Sequence, residues 1–238
     1  MENKNSSSVL GSPSAPYLNG LAGQCGLATD YHAISHPSLP NYIAATSGGT
    51  QGITNDDAPA VNARDVPSIF SQVGTDGWRS YQESMPGNCV LAGGNGLYAV
   101  RHNPAAYYTG IAPACQANDV PMTSATDLSA PFTFITPNLC DDMHNGSVAT
   151  GDSWLAGFVP RLLASAEYTS GTTLLVITWD ENDGPNHEPG NQVATLVVAP
   201  TVAPGARSST YYDHYSLLRT TESCSAFRCW APRPAPPR

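Results

Sequence analysis

The sequence has 238 residues, of which 41% are hydrophobic and only 12% charged, so it can bury the core of one large domain. Its formal net charge is −9, with ten Lys and Arg and no basic run, which argues against a nucleic-acid partner. No stretch reaches the roughly 18 consecutive apolar residues of a membrane span, and no signal peptide is visible.

Cysteine usage indicates the compartment. Six cysteines are scattered along the chain and form no CxxC pair. Together with the low charged fraction, they predict disulfides and an oxidising location, which means a secreted or periplasmic protein. Their pairing stays open, because six cysteines allow 15 connectivities.

The chain begins with polar segments and one short helix. Residues 1–3 have the character of a strand end, without the apolar part of that strand. Residues 4–16 are rich in Ser and Pro and predict a loop, and residues 17–22 predict a short helix.

A serine between two prolines begins the next helix. The heptapeptide at 36–42 reads His-Pro-Ser-Leu-Pro-Asn-Tyr, and Gly48 ends the predicted helix. Ser38 has the position of the N-cap, and Pro40 lies in the first turn, where a missing N–H costs nothing. The positive end of a helix dipole also attracts phosphate. Ser38 is therefore either a simple cap or a nucleophile at a phosphate site.

The middle of the chain has weak periodicity. Residues 66–73 have helical spacing, and residues 78–81 are typical of a short strand. The segment 78–131 is irregular, with Gly-Gly-Asn-Gly at 93–96 and a Tyr-rich stretch at 102–108, so it predicts a loop-rich insertion or cap over a site.

The second half alternates strands and helices. Residues 153–168 predict a helix capped by Asp152 or Ser153 with Pro160 inside it. Continuous apolar strands are predicted at 132–137, 172–179 and 194–199. Such strands, alternating with helices, indicate an α/β fold with a parallel sheet covered on both faces.

The chain changes character near its end. A helix is predicted over 216–221, with Asp213 or Ser216 near its cap. Residues 223–238 form a Pro- and Arg-rich tail that predicts disorder. Residues 1–222 would then form a single domain.

Acidic residues follow the strongest strand. Asp180 and Glu181 come directly after residues 172–179, and in open α/β sheets sites form beyond the carboxyl ends of strands. Carboxylates are hard ligands suited to a divalent cation, although a solvated acidic turn explains the same residues. Glu2 and Asn3 would add a carboxylate and an amide oxygen.

All six histidines lie in polar motifs, and several lie just beyond predicted strands. Imidazoles at such positions can bind phosphate, ligate metal or protonate a leaving group, although a lone histidine is more often structural. They are His32, His36, His102, His144, His187 and His214.

Five separated motifs occur in an order that resembles a known family. They are Glu2-Asn3, residues 36–42, residues 134–144, Thr178-Trp179-Asp180-Glu181 and residues 213–220. Over residues 1–222 the chain is similar to the bacterial phosphoesterase family of acid phosphatases and phospholipases C, within the alkaline phosphatase superfamily. The heptapeptide around Ser38 resembles the acid phosphatase branch, which includes phosphatidylinositol 3-phosphate phosphatases.

The resemblance implies a fold and a set of roles. The fold would be a central, mostly parallel sheet flanked by helices, here without its N-terminal strand. Ser38 would be the nucleophile, with His144 and His214 as further catalytic residues. One further set of residues would bind a divalent metal (Mg, Mn, Ca or Zn), and another would bind the phosphate. The metal ligands would be Glu2, Asn3, Asp180 and Glu181, and the phosphate contacts Asn41, His187 and Asp213.

The chemistry implied is hydrolysis of phosphoric monoesters through a phosphoserine, on a small-molecule or lipid phosphate ester. A serine hydroxyl is a poor nucleophile near neutral pH, so it needs a metal or a base. A phospholipase C-type phosphodiesterase and an inactive member of the fold are the alternatives. The oligomeric state and the identity of the metal stay open.

Overall fold

The computed structural model describes residues 1–93, 96–123, 127–184 and 189–225. The α-helices are α1 (Ser6–Val9), α2 (Pro16–Gln24), α3 (Ser38–Ser47), α4 (Pro59–Asn62), α5 (Ile69–Gln72), α6 (Ala112–Asn118), α7 (Val148–Leu163), α8 (Ala166–Thr169) and α9 (His214–Ser225). The strands are β1 (Gly26–Ala28), β2 (Tyr31–His32), β3 (Trp78–Gln82), β4 (Asp119–Pro121), β5 (Phe132–Thr136), β6 (Leu175–Thr178), β7 (Thr195–Val198), β8 (Arg207–Ser208) and β9 (Tyr212–Asp213).

The strands form three sheets. One has the order β6-β7-β1-β8, a second pairs β2 with β9, and a third has the order β4-β3-β5. Among the described residues, four of the six strand pairings are parallel. The predicted α/β class with mostly parallel strands is confirmed.

One detail of that prediction is wrong. β6 and β7 were expected as parallel strands, but they pair antiparallel, with Val176 opposite Val197. A parallel pair needs a long crossover that usually contains a helix. The described parts of the connection between β6 and β7 contain only a 3₁₀ turn at Pro189–Asn191, so the chain returns antiparallel.

Two hydrophobic clusters form the core. The first surrounds β6 and β7 and includes Trp179 and Leu196, against which α2 and α7 pack. The second surrounds Phe70 and Trp78 and includes the inner face of α3. The helix that carries Ser38 and the strand that leads to Asp180 therefore belong to different clusters.

Helix α3 ends as predicted but begins differently. Gly48 has a φ of +76°, and its N–H donates to Ala44, which is the usual glycine end of a helix. The N-cap is Pro37, and Ser38 is the first helical residue. Its predicted capping role is wrong, because Asp56 Oδ1 accepts the Leu39 N–H instead, at 2.9 Å. The Ser38 hydroxyl is thereby left for other contacts.

Helix α7 also begins earlier than predicted. Its N-cap is Ser147, whose hydroxyl accepts the Thr150 N–H at 3.1 Å. Asp152 caps a different helix, α2, by accepting the N–H groups of Tyr17 and Leu18 at 3.0 and 2.8 Å. Helix α7 ends at Leu163, and residues 166–169 form the separate α8.

The segment 78–131 is only partly the loop-rich insertion that the sequence predicts. It contains β3 and β4, which pair in parallel, and β3 also pairs with β5 in the three-stranded sheet. The described part between them contains three short 3₁₀ turns and α6. A disulfide joins Cys89 to Cys115, as expected for an oxidising compartment. Cys25 and Cys140 are free thiols.

The predicted tail falls largely outside the described residues, since helix α9 is described as far as Ser225. Asp213, one of the two predicted cap residues, caps α9 by accepting the Ser216 N–H at 2.8 Å, and the helix begins at His214, two residues before the predicted start. No helix in the described part of the chain combines the length and apolar character that crossing a membrane requires.

A buried aspartate next to β3 makes stability depend on pH. Asp119 is fully buried and accepts a hydrogen bond from Asn103 Nδ2 at 2.8 Å, and burial raises its pKa to about 6. An unfolded aspartate has a pKa of about 3.9, so between these values the folded state binds the extra proton. The contribution of Asp119 to the free energy of unfolding therefore falls as pH rises from about 4 to about 6.

Asp119→Asn is expected to remove this loss. Relative to wild type, the variant should gain about 2–3 kcal/mol of unfolding free energy between pH 4 and 6, and the difference should stay constant above pH 7. Urea unfolding at a series of pH values measures it, with the exposed Asp76→Asn as control. Parallel pH profiles for wild type and Asp119→Asn would contradict the prediction.

Candidate active site

Ser38 lies buried among carboxylates at the start of α3. Its side chain is 2% exposed, and its Oγ is 3.2 Å from both Glu2 Oε2 and Glu181 Oε1. The hydroxyl can donate to only one of these oxygens at a time. The three residues come from widely separated parts of the sequence, and the tertiary structure brings them together as the resemblance implied.

Glu2 is fixed by backbone contacts on both sides. The Glu2 N–H donates to Asp142 O at 2.7 Å, and the Asp180 N–H donates to Met1 O at 3.1 Å. Glu2 therefore lies between the segment that follows β5 and the segment that follows β6. Its Oε1 accepts a short hydrogen bond from Tyr42 OH, one turn into α3. Its Oε2 faces Ser38.

Asp180 is held from three directions but keeps one oxygen unused. Its Oδ1 accepts the Asn3 N–H at 3.2 Å, and its backbone carbonyl accepts from His214 Nε2 at 2.7 Å. The buried Asp180 Oδ2 and Asn3 Oδ1 have no hydrogen-bond partner. Buried oxygens are rarely left unpaired, so these two fit a ligand that the protein itself does not supply.

The carboxylates repel one another. Burial and the nearby charge of Asp180 raise the pKa of Glu2 well above its usual value and that of Glu181 to about 9. Burial also raises the pKa of Asp142 to about 6. A divalent cation would reverse this effect, because it stabilises the ionised form of every carboxylate around it. The donor set of carboxylate and amide oxygens fits such an ion.

His102 and Asp142 belong to this cluster, although the sequence did not single them out as site residues. His102 Nδ1 is 3.2 Å from Asp142 Oδ2, and its Nε2 is 3.3 Å from Glu2 Oε2. Among the described residues, Glu2, His102 and Asp142 form the one group whose potential ligand atoms all lie within 4.8 Å of one another. The Arg101-His102-Asn103-Pro104 motif was the available signal, but nothing in it indicated contact with Glu2.

His36 is a second neighbour that sequence reasoning noted without assigning a role. Its Nδ1 makes a short contact with Glu181 Oε2. Burial lowers the pKa of His36, whereas Asp180 raises it by a smaller amount. Its position two residues before Ser38 could have suggested this contact.

His144 lies at the edge of the cluster. Arg101 donates to His144 Nε2 at 3.1 Å, which leaves the proton of the neutral ring on Nδ1, where Asn145 Oδ1 accepts it at 2.8 Å. The His144 ring centre is 5.6 Å from that of His102. Arg101 also lies 3.8 Å from Asp56, the residue that caps α3. Neither Arg101 nor Asp56 was predicted as a site residue: Arg101 lies in the same motif as His102, and Asp56 lies in no recognisable motif.

Three predicted residues have mainly structural contacts. His214 uses Nδ1 to contact Tyr31 OH at 3.0 Å and Nε2 to hold the Asp180 carbonyl, so it is placed behind Asp180 rather than beside Ser38. Asn41 donates both amide hydrogens to the carbonyls of Ser35 and Pro37, at 2.8 and 3.2 Å. Asp213 caps α9. Each of these side chains would have to break such contacts to reach a phosphate, so their roles at the site remain predictions from the family resemblance. The remaining predicted residue, His187, lies outside the described residues.

The fold has close structural relatives. A protein in the alkaline phosphatase superfamily from Vibrio parahaemolyticus superimposes with a TM-score of 0.63 at 12% identity, over 94% of this chain and 67% of that one. The lipoteichoic acid synthase LtaP from Listeria monocytogenes gives 0.62 at 10% identity, over 96% and 71%. These likenesses concern the fold, which is that of the alkaline phosphatase superfamily. Sequence relatives place the protein among the phosphoric ester hydrolases.

The chain belongs to the Phosphoesterase family, whose sequence model matches residues 2–225. It is 33% identical to the phosphatidylinositol-3-phosphatase of Mycobacterium tuberculosis, over 93% of this chain and 73% of that protein. It is 32% identical to the phosphate-repressible acid phosphatase of Penicillium chrysogenum, over 84% of this chain and 52% of that protein. The chain thus spans about half the length of that fungal relative. The family resemblance inferred from the sequence is confirmed.

Proposed function

We propose that this protein is a divalent-metal-dependent phosphoric monoester hydrolase that works through a phosphoserine on Ser38. The observation that carries the proposal is the position of the Ser38 hydroxyl, 3.2 Å from two buried carboxylates at the start of a helix. A serine needs such neighbours to act as a nucleophile.

The metal would be held by Glu2, Asn3, Asp180 and Glu181. The unpaired Asp180 Oδ2 and Asn3 Oδ1, together with the mutually repelling carboxylates, support this assignment. A bound divalent cation would supply a Lewis acid that lowers the pKa of the serine hydroxyl and offsets phosphoryl charge.

The residues of the chain then perform two displacements. The Ser38 Oγ attacks phosphorus while its proton passes to the carboxylate that it faces, and the ester P–O bond breaks to give phosphoserine and an alcohol. His144, at the outer edge of the site, is our proposed donor to the leaving oxygen: it acts as the imidazolium, gives up the Nε2 proton and is left as the neutral ring with its proton on Nδ1, toward Asn145. Water then attacks phosphorus while His144 takes its proton, the Oγ–P bond breaks to release inorganic phosphate, and the proton held by the carboxylate returns to Ser38 Oγ.

The phosphoryl oxygens need donors, and Arg101 is a cation at the same edge of the site as His144. It contacts His144 on one side and Asp56, at the start of α3, on the other. Its guanidinium can offer two parallel N–H groups to a phosphate, as arginine does at many phosphate sites. Arg101 therefore joins His144 in our proposal as a phosphate contact. Asn41, Asp213 and His187 remain proposals from the family resemblance alone.

The substrate class follows from the relatives. The names phosphatidylinositol-3-phosphatase and acid phosphatase describe proteins that act on monoesters, so we propose a small-molecule or lipid-headgroup phosphate monoester. The Cys89–Cys115 disulfide supports a secreted or periplasmic location.

Trapping the intermediate tests the proposal. The protein is mixed with p-nitrophenyl phosphate and a divalent cation, quenched with acid within one turnover, and mapped by peptide mass spectrometry. A phosphoryl group on Ser38 is expected. Turnover with no phosphorylated Ser38 at any quench time would refute the nucleophile, and diacylglycerol release from phosphatidylcholine would favour the phosphodiesterase alternative. A folded protein that hydrolyses nothing with any divalent cation would be an inactive member of the fold.

Arg101→Gln is expected to lower kcat/KM for p-nitrophenyl phosphate by about 10- to 100-fold, because a hydrogen bond to a charged group is worth about 1.5–3 kcal/mol. The matched control is Arg161→Gln, which removes an exposed arginine on α7 that stacks on Phe158. Steady-state kinetics at saturating metal measure both variants. Equal kcat/KM for the two variants would remove Arg101 from the phosphate site.

A further inference from the structure

His102 presents a buried nitrogen that the protein leaves unused. The residue is 2% exposed and ends the 3₁₀ turn Val100–His102. Its Nδ1 lies 3.2 Å from Asp142 Oδ2, so Nδ1 is the protonated nitrogen that the carboxylate accepts. Its Nε2 is buried and has no hydrogen-bond partner, although Glu2 Oε2 is only 3.3 Å away. A proton on Nε2 would not point at that oxygen.

The separation between these two atoms is that of neighbouring ligands on one metal. Two donors at about 2.0–2.1 Å from a tetrahedral ion lie roughly 3.3–3.4 Å apart. Glu2 Oε2 and His102 Nε2 are 3.3 Å apart. The lone pair of His102 Nε2 and the Glu2 Oε2 oxygen repel each other at this distance. A cation bound by both atoms would remove that repulsion.

The surroundings hold both atoms in this arrangement. Tyr42 stacks on the His102 ring with an interplanar angle of 13°, and the same tyrosine donates to Glu2 Oε1, which leaves Oε2 for other contacts. Asp142 is fixed in turn by the His144 N–H, which it accepts at 2.7 Å. A histidine that ligates metal commonly donates its other N–H to a carboxylate, and this is the arrangement of His102 and Asp142.

We infer that His102 Nε2 is a nitrogen ligand of the cation that Glu2 holds, with Asp142 orienting the ring, so that the site selects a transition metal over Mg²⁺ or Ca²⁺. Imidazole suits Zn²⁺, Fe and similar ions, whereas carboxylate and carbonyl oxygens alone suit Mg²⁺ and Ca²⁺. This inference rests on the proposed function for the presence of a metal, and it adds the ligand and the selectivity.

Cadmium NMR tests the ligand directly. The metal-free protein, labelled with ¹⁵N-histidine, is titrated with ¹¹³Cd²⁺ as a stand-in for zinc. We expect a ¹¹³Cd–¹⁵N coupling from one imidazole that disappears in His102→Gln and persists in His36→Gln and His144→Gln. If His102→Gln does not fold by circular dichroism, the control variants still exclude His36 and His144, and sequence-specific assignment of the coupled ¹⁵N resonance in wild type decides the question.

Calorimetry tests the selectivity. His102→Gln is expected to weaken Zn²⁺ binding by at least about 10- to 100-fold and Mg²⁺ binding by much less, and Asp142→Asn to weaken Zn²⁺ binding by about 10- to 100-fold. Cadmium binding without nitrogen coupling, or coupling lost only in His36→Gln, would overturn the assignment of His102 and leave the phosphatase proposal intact. Failure of wild type to bind any divalent cation would overturn this inference together with the proposed metal dependence.

Discussion

Ser38→Ala is expected to lower kcat for p-nitrophenyl phosphate by about 10⁴- to 10⁶-fold, the scale seen when a covalent nucleophile is removed. The hydroxyl is the only group of Ser38 that faces the carboxylates, since its Oγ lies 3.2 Å from both Glu2 and Glu181. Alanine favours the helical conformation of this position. The loss should therefore be chemical rather than structural.

The matched control is Ser47→Ala at the other end of α3, where the hydroxyl donates to the Ile43 carbonyl. It makes the same change in the same helix, and we expect kcat within about threefold of wild type, since this half-buried hydroxyl bonds only groups at the far end of α3 from the carboxylates. Initial rates and circular dichroism spectra measure both variants. Substantial activity in folded Ser38→Ala would show that Ser38 is not the nucleophile.

Removing the metal is expected to have the second largest effect, on both activity and stability. At a metal concentration 100 times its Kd, binding should stabilise the fold by about 2.7 kcal/mol. In a chain of this length, that is a rise in Tm of about 5–11 °C. A chelator should abolish hydrolysis and reverse this shift. Thermal unfolding with and without chelator, followed by circular dichroism, measures it.

Asp180→Asn distinguishes two effects on stability, which are metal binding and the repulsion between the buried carboxylates. Asn can still accept the Asn3 N–H, but it removes a charge that raises the pKa values of Glu2 and Glu181. The metal-free variant is therefore expected to be more stable than metal-free wild type, and to lose most of the metal-induced rise in Tm. Activity should fall by about 10³-fold or more, as when a group that stabilises transition-state charge is removed.

Asp183→Asn serves as the control for Asp180→Asn. Asp183 is exposed and lies three residues further along the same loop, and it should retain the metal-induced shift. If Asp180→Asn kept that shift in full, Asp180 would not be a ligand. If the metal-free variant were less stable than metal-free wild type, the repulsion between the buried carboxylates would not govern this site.

Local sequence signals determined the elements that carry the site. Gly48 ends α3 because only a residue free to adopt a positive φ suits that position. The four consecutive apolar residues 174–177 predict the strand that precedes Asp180 and Glu181, where β6 is found. These features depend on neighbours within one turn or one strand. The family motifs, read in order, also indicated that Ser38 and the acidic residues act together.

The tertiary structure alone decided which side chains meet and which are used elsewhere. Glu2 reaches Ser38 because its N–H pairs with the Asp142 carbonyl, and no local pattern encodes that bond. Asp56 replaces Ser38 as the cap of α3, and His102 joins the carboxylates from a segment of irregular turns. His214 and Asn41, which matched family motifs, use their polar atoms in contacts behind the site: His214 binds the Asp180 carbonyl and Tyr31 OH, and Asn41 binds backbone groups. Hydrogen bonds between distant segments choose among chemically similar residues, because each side chain has a limited number of donors and acceptors.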